Sequence, residues 1–519
     1  MATPHEKSAE ALKALHDLQG PAKRKVFKSA ELTRTLRKRL IDAGFLAGAA
    51  KGWVYLTNPQ AKPGDTTPWI ASFWEFCSAY ANDRYGADWN VSPEQSLLLA
   101  VEHTSIPNQL ILHSQAASDT PIHLPFGNSI YNLKSQPKDA DDVEVVDGIR
   151  RLTLPVALTL VPEKFFKAHS LSAQIALRQL RSPSQLLGPL LERGASVVAG
   201  RLAGAFRHVG NDRFADEVVG TMSSAQYQVR EHNPFEIDDR PVILRTKNPV
   251  AGRIAAFWQK SRQVVLDLFP APPGLPDNSA TYLEQVDEVY KNDAYHSLSI
   301  EGYSVTLELI ERVKSGNWDP EENEDDKQNR NALAARGYWE AFQLVKESVS
   351  RILDGDDAAE IVEQQHNAWF RALFAPSVNA GLLKPRDLAG YRNHPVYLVT
   401  SDYVPPRHEA VIDGMTALFE QIREESEPGV RAVLGHWLFG YVHPYPDGNG
   451  RTARFLLNSL LASGGYPWTI IRVEDRNEYL AGLNAASISG NVKPFVELMH
   501  KRVNAALEER PVEKPSHKM

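Results

Sequence analysis

The stretch His443-Pro444-Tyr445-Pro446-Asp447-Gly448-Asn449-Gly450-Arg451-Thr452-Ala453-Arg454 lies between two apolar, helix-like segments, residues 430–442 and 451–462. Gly448 and Gly450 favour a tight turn that points backbone N–H groups outward at the start of the second helix. The positive end of that helix strengthens the attraction for a negative charge. The sequence therefore predicts an anion-binding loop at a helix–loop–helix junction.

The charged side chains of this stretch add chemistry to the loop. Arg451 and Arg454 lie three residues apart, on one face of the predicted helix, where both can reach phosphates. Asp447 offers the hard carboxylate that Mg²⁺ bound to a polyphosphate requires. His443 is the only side chain of the stretch that acts as a base near neutral pH. Asp-Gly-Asn-Gly is also an ordinary turn sequence, so it is the combination that indicates a reactive site.

The stretch resembles the signature of Fic-domain proteins, His-x-(Phe/Tyr)-x-(Asp/Glu)-Gly-Asn-Gly-Arg-x-x-Arg, with Tyr445 where Phe is commoner. Fic enzymes transfer AMP from ATP to a Ser, Thr or Tyr hydroxyl of a target protein. The resemblance implies that His443 is the general base and that Asp447 binds Mg²⁺. It also implies phosphate contacts from the residues that follow: Gly448, Asn449, Gly450, Arg451 and Arg454.

Two further segments resemble parts of the same family. Residues 390–398, followed by residues 403–406, resemble the Fic flap, a β-hairpin that pairs with an extended segment of the target. The resemblance implies target binding by four flap residues: Tyr391, Arg392, Val396 and Tyr397. An ordinary surface hairpin is the alternative. Tyr479 and Asn484 resemble residues of the Fic helix that contacts adenine.

The segment Ser297-Leu298-Ser299-Ile300-Glu301-Gly302 fits the Fic inhibitory pattern (Ser/Thr)-x-x-x-Glu-(Gly/Asn), on a helix expected at about 281–303. Glu301 would pair with Arg454 and place negative charge where the γ-phosphate of ATP must lie. The resemblance also allows AMP removal as a second activity, with Glu301 orienting a water. A helix-end Glu-Gly without a regulatory role is the alternative.

The first 56 residues hold eleven Lys or Arg and five Asp or Glu, whereas the whole chain has a net charge of −7. A helix at Glu6–Leu18, a basic helix beginning at Ser29 and a strand-like segment at 52–56 predict a winged helix-turn-helix over residues 1–57. The region also resembles winged-helix regulators of the AbiE-antitoxin type, on residues 29–45, 51–55 and 92–98. We expect duplex DNA contacts from Arg34, Arg37 and Lys38, and a merely solvated basic helix is the alternative.

Length and composition indicate a multidomain, mainly α protein. The 519 residues exceed one ordinary core, and 43% apolar with 23% charged residues excludes a disordered or collagen-like chain. The predicted order is the winged helix (1–57), an α+β domain (68–165), a helical connector (166–250), the helical Fic domain with its β-hairpin flap (251–510) and a disordered tail (511–519).

Cysteine usage and hydropathy predict a cytoplasmic protein. Cys77 is the only cysteine, which excludes an intrachain disulfide and a Cys-rich zinc module. The charged N-terminus has no signal-peptide pattern, and no apolar run is long enough to span a bilayer, so we expect no membrane partner.

The sequence thus favours Mg²⁺- and ATP-dependent AMPylation of an unidentified target protein, restrained by Glu301. Phosphate transfer is disfavoured by Gly450, since Doc-type kinases carry Lys there. A DNA-binding transcriptional regulator that uses the Fic domain to sense nucleotide is the alternative from another class. The oligomeric state, including a homodimer, stays open.

Overall fold

The computed structural model is mainly helical and describes residues 3–60, 64–236, 239–242, 246, 248–316, 330–399 and 401–509. The chain forms two compact units: Met1–Pro249 with Tyr397–Val404, and Val250–Val396 with Pro405–Met519. The tail predicted at 511–519 lies outside the described residues. Within the described ranges, no helix is both long and apolar enough to cross a membrane.

The first unit begins with a small mixed module. Its elements, in chain order, are α1 (Pro4–Gln19), β1 (Val26–Lys28), α2 (Arg34–Asp42), β2 (Leu46–Ala50) and β3 (Trp53–Leu56). The strands form an antiparallel sheet in the order β1-β3-β2. A shared apolar cluster joins both helices to this sheet: Ala11, Leu15, Phe27, Leu40, Leu46 and Val54.

The basic helix α2 begins at Arg34, so the prediction that it begins at Ser29 was wrong. Residues Ser29–Glu31 form one short 3₁₀ turn instead. The chain is extended at Leu32, and the Thr33 hydroxyl then caps α2 by accepting a hydrogen bond from Leu36 N at 3.3 Å.

The middle of the first unit carries most of the sheet. Its elements are α3 (Thr67–Tyr85), β4 (Asn90–Val91), α4 (Pro93–Ala100), β5 (Gln109–Ser114), β6 (Thr120–His123), β7 (Ser129–Lys134), β8 (Val143–Val146) and β9 (Ile149–Leu152). Strands β4-β5-β7-β6 form one sheet, in which β5 and β7 are parallel, and β8 pairs with β9. Trp69, Phe73 and Phe76 of α3 are fully buried in the core of this region.

Helices complete the first unit: α5 (Leu154–Leu160), α6 (Glu163–Ala168), α7 (Ser170–Gln179), α8 (Ser184–Glu192), α9 (Ser196–His208) and α10 (Asp212–Ser224). The prediction of a mainly α chain is confirmed, and the described strands all lie within residues 26–152.

The described residues of the second unit form helices joined by loops and contain no strand. Its helices are α11 (Pro249–Leu268), α12 (Ser279–Ile300), α13 (Leu307–Lys314), α14 (Arg330–Leu353), α15 (Ala358–Asn379), α16 (Val411–Glu424), α17 (Pro428–Val442), α18 (Asn449–Ala462), α19 (Arg476–Ser489) and α20 (Lys493–Glu509).

Close helix packing fixes the loop between α17 and α18. A Cβ on Gly435 of α17 would lie 3.2 Å from the side chains of both Leu456 and Leu460 on α18. Because only a glycine fits between these leucines without displacing them, the two helices approach closely and hold residues 443–448 between their ends.

Candidate active site

His443 ends helix α17 in a left-handed conformation, with φ 51° and ψ 60°. A non-glycine residue in this region is strained, and such strain is often found at functional sites. Its Nδ1 lies 3.4 Å from the Gly440 carbonyl oxygen, which can only accept, so Nδ1 carries the proton. The lone pair is therefore on Nε2. Burial lowers the pKa of His443 to about 4, which keeps the imidazole neutral at pH 7.

The loop and the first turn of α18 form the predicted anion site. Gly448 has φ 78°, and a Cβ there would lie 2.7 Å from the Phe374 ring. The first intrahelical bond runs from Thr452 N to Gly448 O at 3.0 Å. Backbone N–H groups before that point have no carbonyl one turn back in the helix, so the N–H groups of residues 449–451 remain for an anion.

Asn449 supports this loop from inside. Its Oδ1 accepts a hydrogen bond from Tyr445 N, and its Nδ2 donates to Tyr445 O, both at 2.8 Å. The Tyr445 ring stacks on Phe370 with centroids 4.0 Å apart, and its hydroxyl donates to Asn367 Oδ1. The Asn449 side chain therefore braces the loop, which leaves only its backbone N–H for a phosphate.

Arg451 is 1% exposed and lies between two aromatic rings. Its Cζ is 4.9 Å from the centroid of Phe374 and 5.3 Å from that of Tyr303. Its Nε and Nη1 atoms have no hydrogen-bond partner among the described residues. Asp447 is its nearest carboxylate, at 3.8 Å, and keeps 63% of its side-chain surface exposed. A buried guanidinium with unused donors is suited to an incoming anion.

Arg454 connects helix α18 to helix α12. Its Nε donates to Ser297 Oγ at 2.9 Å, and its Nη2 donates to Ser297 O at 3.0 Å and to Glu301 Oε1 at 2.8 Å. Glu301 follows the last residue of α12, and Gly302 then turns the chain with φ 85°. The structure therefore places Glu301 against Arg454, the pair expected from the sequence, and Ser297 of the same motif accepts two further bonds from this arginine.

Glu301 also fills the space beside the anion loop. A Cβ on Gly450 would lie 2.2 Å from Glu301 Oε1, so the carboxylate reaches the helix backbone only because residue 450 is glycine. Burial of the carboxyl would raise its pKa, but the charges of Arg454 and Arg451 outweigh burial and hold the pKa below its usual value. Glu301 is thus an anion in the place predicted for an anionic ligand.

The predicted β-hairpin flap is not formed by the described residues of 390–406, which contain no strand. Pro395, Pro405 and Pro406 remove N–H donors that a ladder needs. Tyr391 turns inward and donates to His366 Nε2 at 2.8 Å.

The other flap residues differ in their surroundings. Arg392 is buried at 3% exposure. Val396 is half-buried and is the last residue of Val250–Val396, the first of the two segments that form the second unit. Tyr397 belongs to the first unit, where it packs against the core cluster and lies beneath Lys25 Nζ.

Tyr479 and Asn484 lie on α19. The Tyr479 side chain is 2% exposed and donates its hydroxyl to His436 Nε2 at 2.8 Å, while burial raises its pKa to about 12. Its ring is therefore part of the packing around α17, whereas Asn484 is half-buried.

The three residues predicted to contact DNA lie together on α2 of the first unit. Arg34 is exposed, and Lys38 is exposed and paired with Asp42 at 2.6 Å. Arg37 donates to the carbonyl of Ser29, so its side chain also supports the turn before the helix.

Sequence reasoning missed the aromatic residues that pack around Arg451 and Tyr445. Tyr303, beside Arg451, directly follows the inhibitory motif. Phe374, beside Arg451, and Phe370, stacked on Tyr445, are four residues apart on α15. That spacing places both phenyl rings on one helix face, and it was the signal available in the sequence.

Residues 359–461 match the model of the Fic/DOC family. The matched segment runs from α15 to α18 and includes the whole stretch from His443 to Arg454. The resemblance inferred from the sequence is therefore confirmed for this segment.

Curated relatives extend the similarity beyond it. A protein adenylyltransferase Fic from Nematostella vectensis is 30% identical over 280 residues, which are 49% of this chain and 59% of the relative. The protein adenylyltransferase fic-1 of Caenorhabditis briggsae is 27% identical over 274 residues, 51% of this chain and 50% of the relative. The chain thus spans about half the length of the curated relatives it matches.

Solved structures give a weaker likeness. Fic-1 (residues 134–508) from C. elegans has a TM-score of 0.37 at 20% identity, over 69% of this chain and 90% of that chain. A Fic family protein from Desulfovibrio desulfuricans has a TM-score of 0.34 at 21% identity, over 52% of this chain and 76% of that chain. TM-scores this low add nothing to the description of the site.

Proposed function

We propose that this chain is a Mg²⁺- and ATP-dependent protein adenylyltransferase, which transfers AMP to a Ser, Thr or Tyr hydroxyl of a target protein and of itself. One observation carries the proposal. Arg451 is buried, has unused hydrogen-bond donors and lies in the first turn of α18. The loop that precedes this helix begins at His443, whose imidazole is neutral at pH 7. The names of the curated relatives support the same activity.

The residues present suit an in-line transfer at the α-phosphorus of ATP. A new bond forms from the acceptor oxygen to this phosphorus, and the bond from phosphorus to the oxygen shared with the β-phosphate breaks. His443 Nε2 receives the hydroxyl proton, because Nδ1 already carries one. Pyrophosphate leaves with its charge balanced by Arg451 and Arg454. Positioning and charge neutralisation do most of the work in such reactions.

Asp447 fits a Mg²⁺ ion that arrives with the nucleotide. Mg²⁺ in nucleotide sites is usually held by one or two carboxylates together with phosphate oxygens and waters. Asp447 is a single exposed carboxylate at the start of the anion loop, and its Oδ1 is oriented by Gly448 N at 2.6 Å. Bound there, the metal would neutralise phosphate charge, while the protein supplies the base and the arginines.

The proposed resting enzyme is restrained by Glu301. Its carboxylate accepts a hydrogen bond from Arg454 Nη2, which would otherwise be available to the γ-phosphate of ATP. The negative charge of Glu301 would also repel that phosphate. ATP would bind with its phosphates displaced, which misaligns the α-phosphorus for attack. The same carboxylate would orient a water if the site removes AMP from a modified protein.

A DNA-binding role is the second candidate. The sheet order β1-β3-β2, with α2 packed on it and Arg34 and Lys38 exposed, supports a winged helix whose basic helix contacts duplex DNA. In this reading the second unit would sense nucleotide.

The test separates transfer chemistries by the position of the label. Purified Glu301→Gly protein is incubated with Mg²⁺ and ATP labelled on either the α- or the γ-phosphate, with and without a cell lysate. We expect label on protein from α-labelled ATP alone. Label from γ-labelled ATP would indicate a kinase, and no label from either would reject transfer and leave the nucleotide-sensing role.

A further inference from the structure

Arg392 connects the flap segment to the catalytic histidine through main-chain contacts. Its Nε donates to His443 O at 2.8 Å, and its Nη2 donates to Val442 O at 3.3 Å. The same guanidinium donates to His394 O at 3.3 Å and to Pro406 O at 2.5 Å. One buried side chain therefore holds the beginning and the end of the flap segment against the residue that ends α17.

The backbone of Arg392 makes a fifth hydrogen bond, to the residue that follows His443. Its N–H donates to Pro444 O at 2.8 Å, so the carbonyls of three successive residues, 442–444, are bound by this one arginine. Carbonyls at a helix C-terminus lack intrahelical partners and carry the negative end of the helix dipole. An arginine suits them because it offers five donors in a fixed plane.

The strained backbone of His443 gives these contacts a specific consequence. A left-handed φ of 51° is unfavourable for histidine, so the peptide needs external support. Arg392 supplies it at the carbonyl of that residue and thereby sets the direction from which the imidazole leaves the chain. A change in this direction moves Nε2, the atom that receives the proton.

We propose that Arg392 is a positioning residue, which ties the two ends of the flap segment, His394 and Pro406, to His443 and so fixes the direction from which the imidazole meets an acceptor hydroxyl. The proposal rests on the proposed AMP transfer. The bonds given above reach the carbonyls of residues 442–444 and not the N–H groups of residues 449–451, so Arg392 acts through His443 rather than on ATP.

The charge of Arg392 gives an independent signature. Burial is the largest cause of the low pKa of His443, and the cation of Arg392 lowers it further. Glu301 and Asp447 also face the imidazole and act in the opposite direction. Removing the cation should therefore raise the pKa of His443, whereas replacing it by another cation should not.

The experiment compares Arg392→Lys with Arg392→Gln in the Glu301→Gly protein. Arg386→Gln is the matched control, because that side chain is 79% exposed in the same unit. The readouts are ATP affinity by calorimetry, the rate of self-modification with α-labelled ATP across pH, and the melting temperature.

We expect both Arg392 variants to lose about 10²-fold in rate, the loss typical of a misplacement near 1 Å, with ATP affinity within about 2-fold of the parent. The acidic limb of the rate profile should shift to higher pH in Arg392→Gln only. Rates within about 3-fold of the control would overturn the proposal. So would a parallel loss of ATP affinity and melting temperature in both variants, which marks a merely structural arginine.

A second readout keeps the proposal testable if the parent transfers no AMP. The imidazole resonance of His443, assigned by its loss in His443→Ala, is titrated by NMR in full-length protein without ATP. A raised pKa in Arg392→Gln but not in Arg392→Lys, with a shifted resonance in both, supports the positioning role. Unchanged resonances in both variants reject it, whatever the fate of the proposed transfer.

Discussion

Glu301 Oε1 accepts a hydrogen bond from Arg454 Nη2 at 2.8 Å and lies 2.2 Å from the position that a Cβ of residue 450 would take. The carboxylate keeps 31% of its side-chain surface exposed, whereas Arg454 keeps 5%. The pair therefore joins a buried cation, fixed in α18, to an anion at the open end of α12. The anion is the partner that a ligand can displace.

Glu301→Gly should raise the rate of AMP transfer, including self-modification. The substitution removes the negative charge and frees an Arg454 donor for the γ-phosphate, so the α-phosphorus can align. Because misalignment costs about 10²-fold, we expect a gain of that order. Initial rates at equal ATP measure it.

Two variants serve as controls for this gain. Arg454→Ala should not reproduce it, because it deletes the phosphate contact together with the restraint. Glu308→Gln alters an exposed carboxylate on α13 and should leave the rate unchanged. If Glu301→Gly is no faster than the parent, Glu301 is a helix-end residue without a regulatory role.

His443→Ala should abolish AMP transfer and leave ATP affinity largely intact, since the imidazole is the proposed base and not a proposed phosphate contact. Loss of a general base typically costs about 10²–10⁴ in rate. Label incorporation and calorimetry on the same preparation give both quantities. His408→Ala, a partly exposed histidine in the same unit, is the control. Full activity of His443→Ala would refute the assignment.

The sequence indicates a helix–loop–helix junction with clustered charged residues at 443–454 because these residues are neighbours in the chain. Twelve consecutive residues contain the base, the carboxylate and both arginines, and the glycines determine the backbone between them. The Glu301–Arg454 contact joins distant residues, and it was predicted from a resemblance that placed the motif ahead of the core. Neither periodicity nor propensity encodes such a pair.

Side chains that turn inward could not be assigned from the pattern. Arg392 and Tyr391 read as target-binding residues of a hairpin, yet one binds backbone carbonyls and the other binds His366. A polar side chain in a loop turns inward when tertiary packing brings backbone carbonyls from another part of the chain within hydrogen-bonding distance, and the sequence pattern does not show where this happens. The same holds for Asn449, whose side-chain amide makes two hydrogen bonds with the backbone of Tyr445 instead of facing the anion site.

Gly448→Ala should destabilise the second unit. The residue has φ 78°, a region that costs an alanine about 1–2 kcal/mol, and the new methyl would meet the Phe374 ring at 2.7 Å. A lower melting temperature and weaker ATP binding are expected together, because the loop carries the anion site. Gly440→Ala is the control: it has open space and helical geometry, so it should be neutral or slightly stabilising. Equal melting temperatures for the two variants would contradict the expectation.

Full-length protein should bind duplex DNA through α2, with an affinity that falls steeply as salt rises. The Arg34→Gln, Lys38→Gln double variant should weaken binding and reduce the salt slope by roughly two phosphate contacts. A Lys7→Gln, Lys13→Gln protein changes the same charge on α1 and should bind like the parent. Fluorescence anisotropy at several salt concentrations measures both. Without any DNA affinity at low salt, the module is better interpreted as a protein-interaction domain.

Asp293 provides a prediction about pH. It lies on α12, four residues before Ser297, and is 5% exposed with its Oδ2 accepting the Tyr338 hydroxyl at 2.6 Å. Burial raises its pKa from 3.8 to about 6, although the bond from Tyr338 opposes this. The folded protein therefore holds this proton more tightly than the unfolded chain does. The resulting stability is complete below about pH 4 and is lost as pH rises through about 6.

Asp293→Asn should stabilise the second unit at pH 8 and have little effect at pH 4. The amide keeps an oxygen that accepts the Tyr338 hydrogen bond, and it carries no charge to bury. A pKa raised from 3.8 to about 6 corresponds to about 3 kcal/mol at pH 8, which is the upper limit of the gain. Melting temperatures of both proteins from pH 4 to pH 8 measure the difference, which should open between pH 4 and pH 7 and then stay constant. Because every other titrating group is shared, parallel curves would show that Asp293 does not change its protonation in this range.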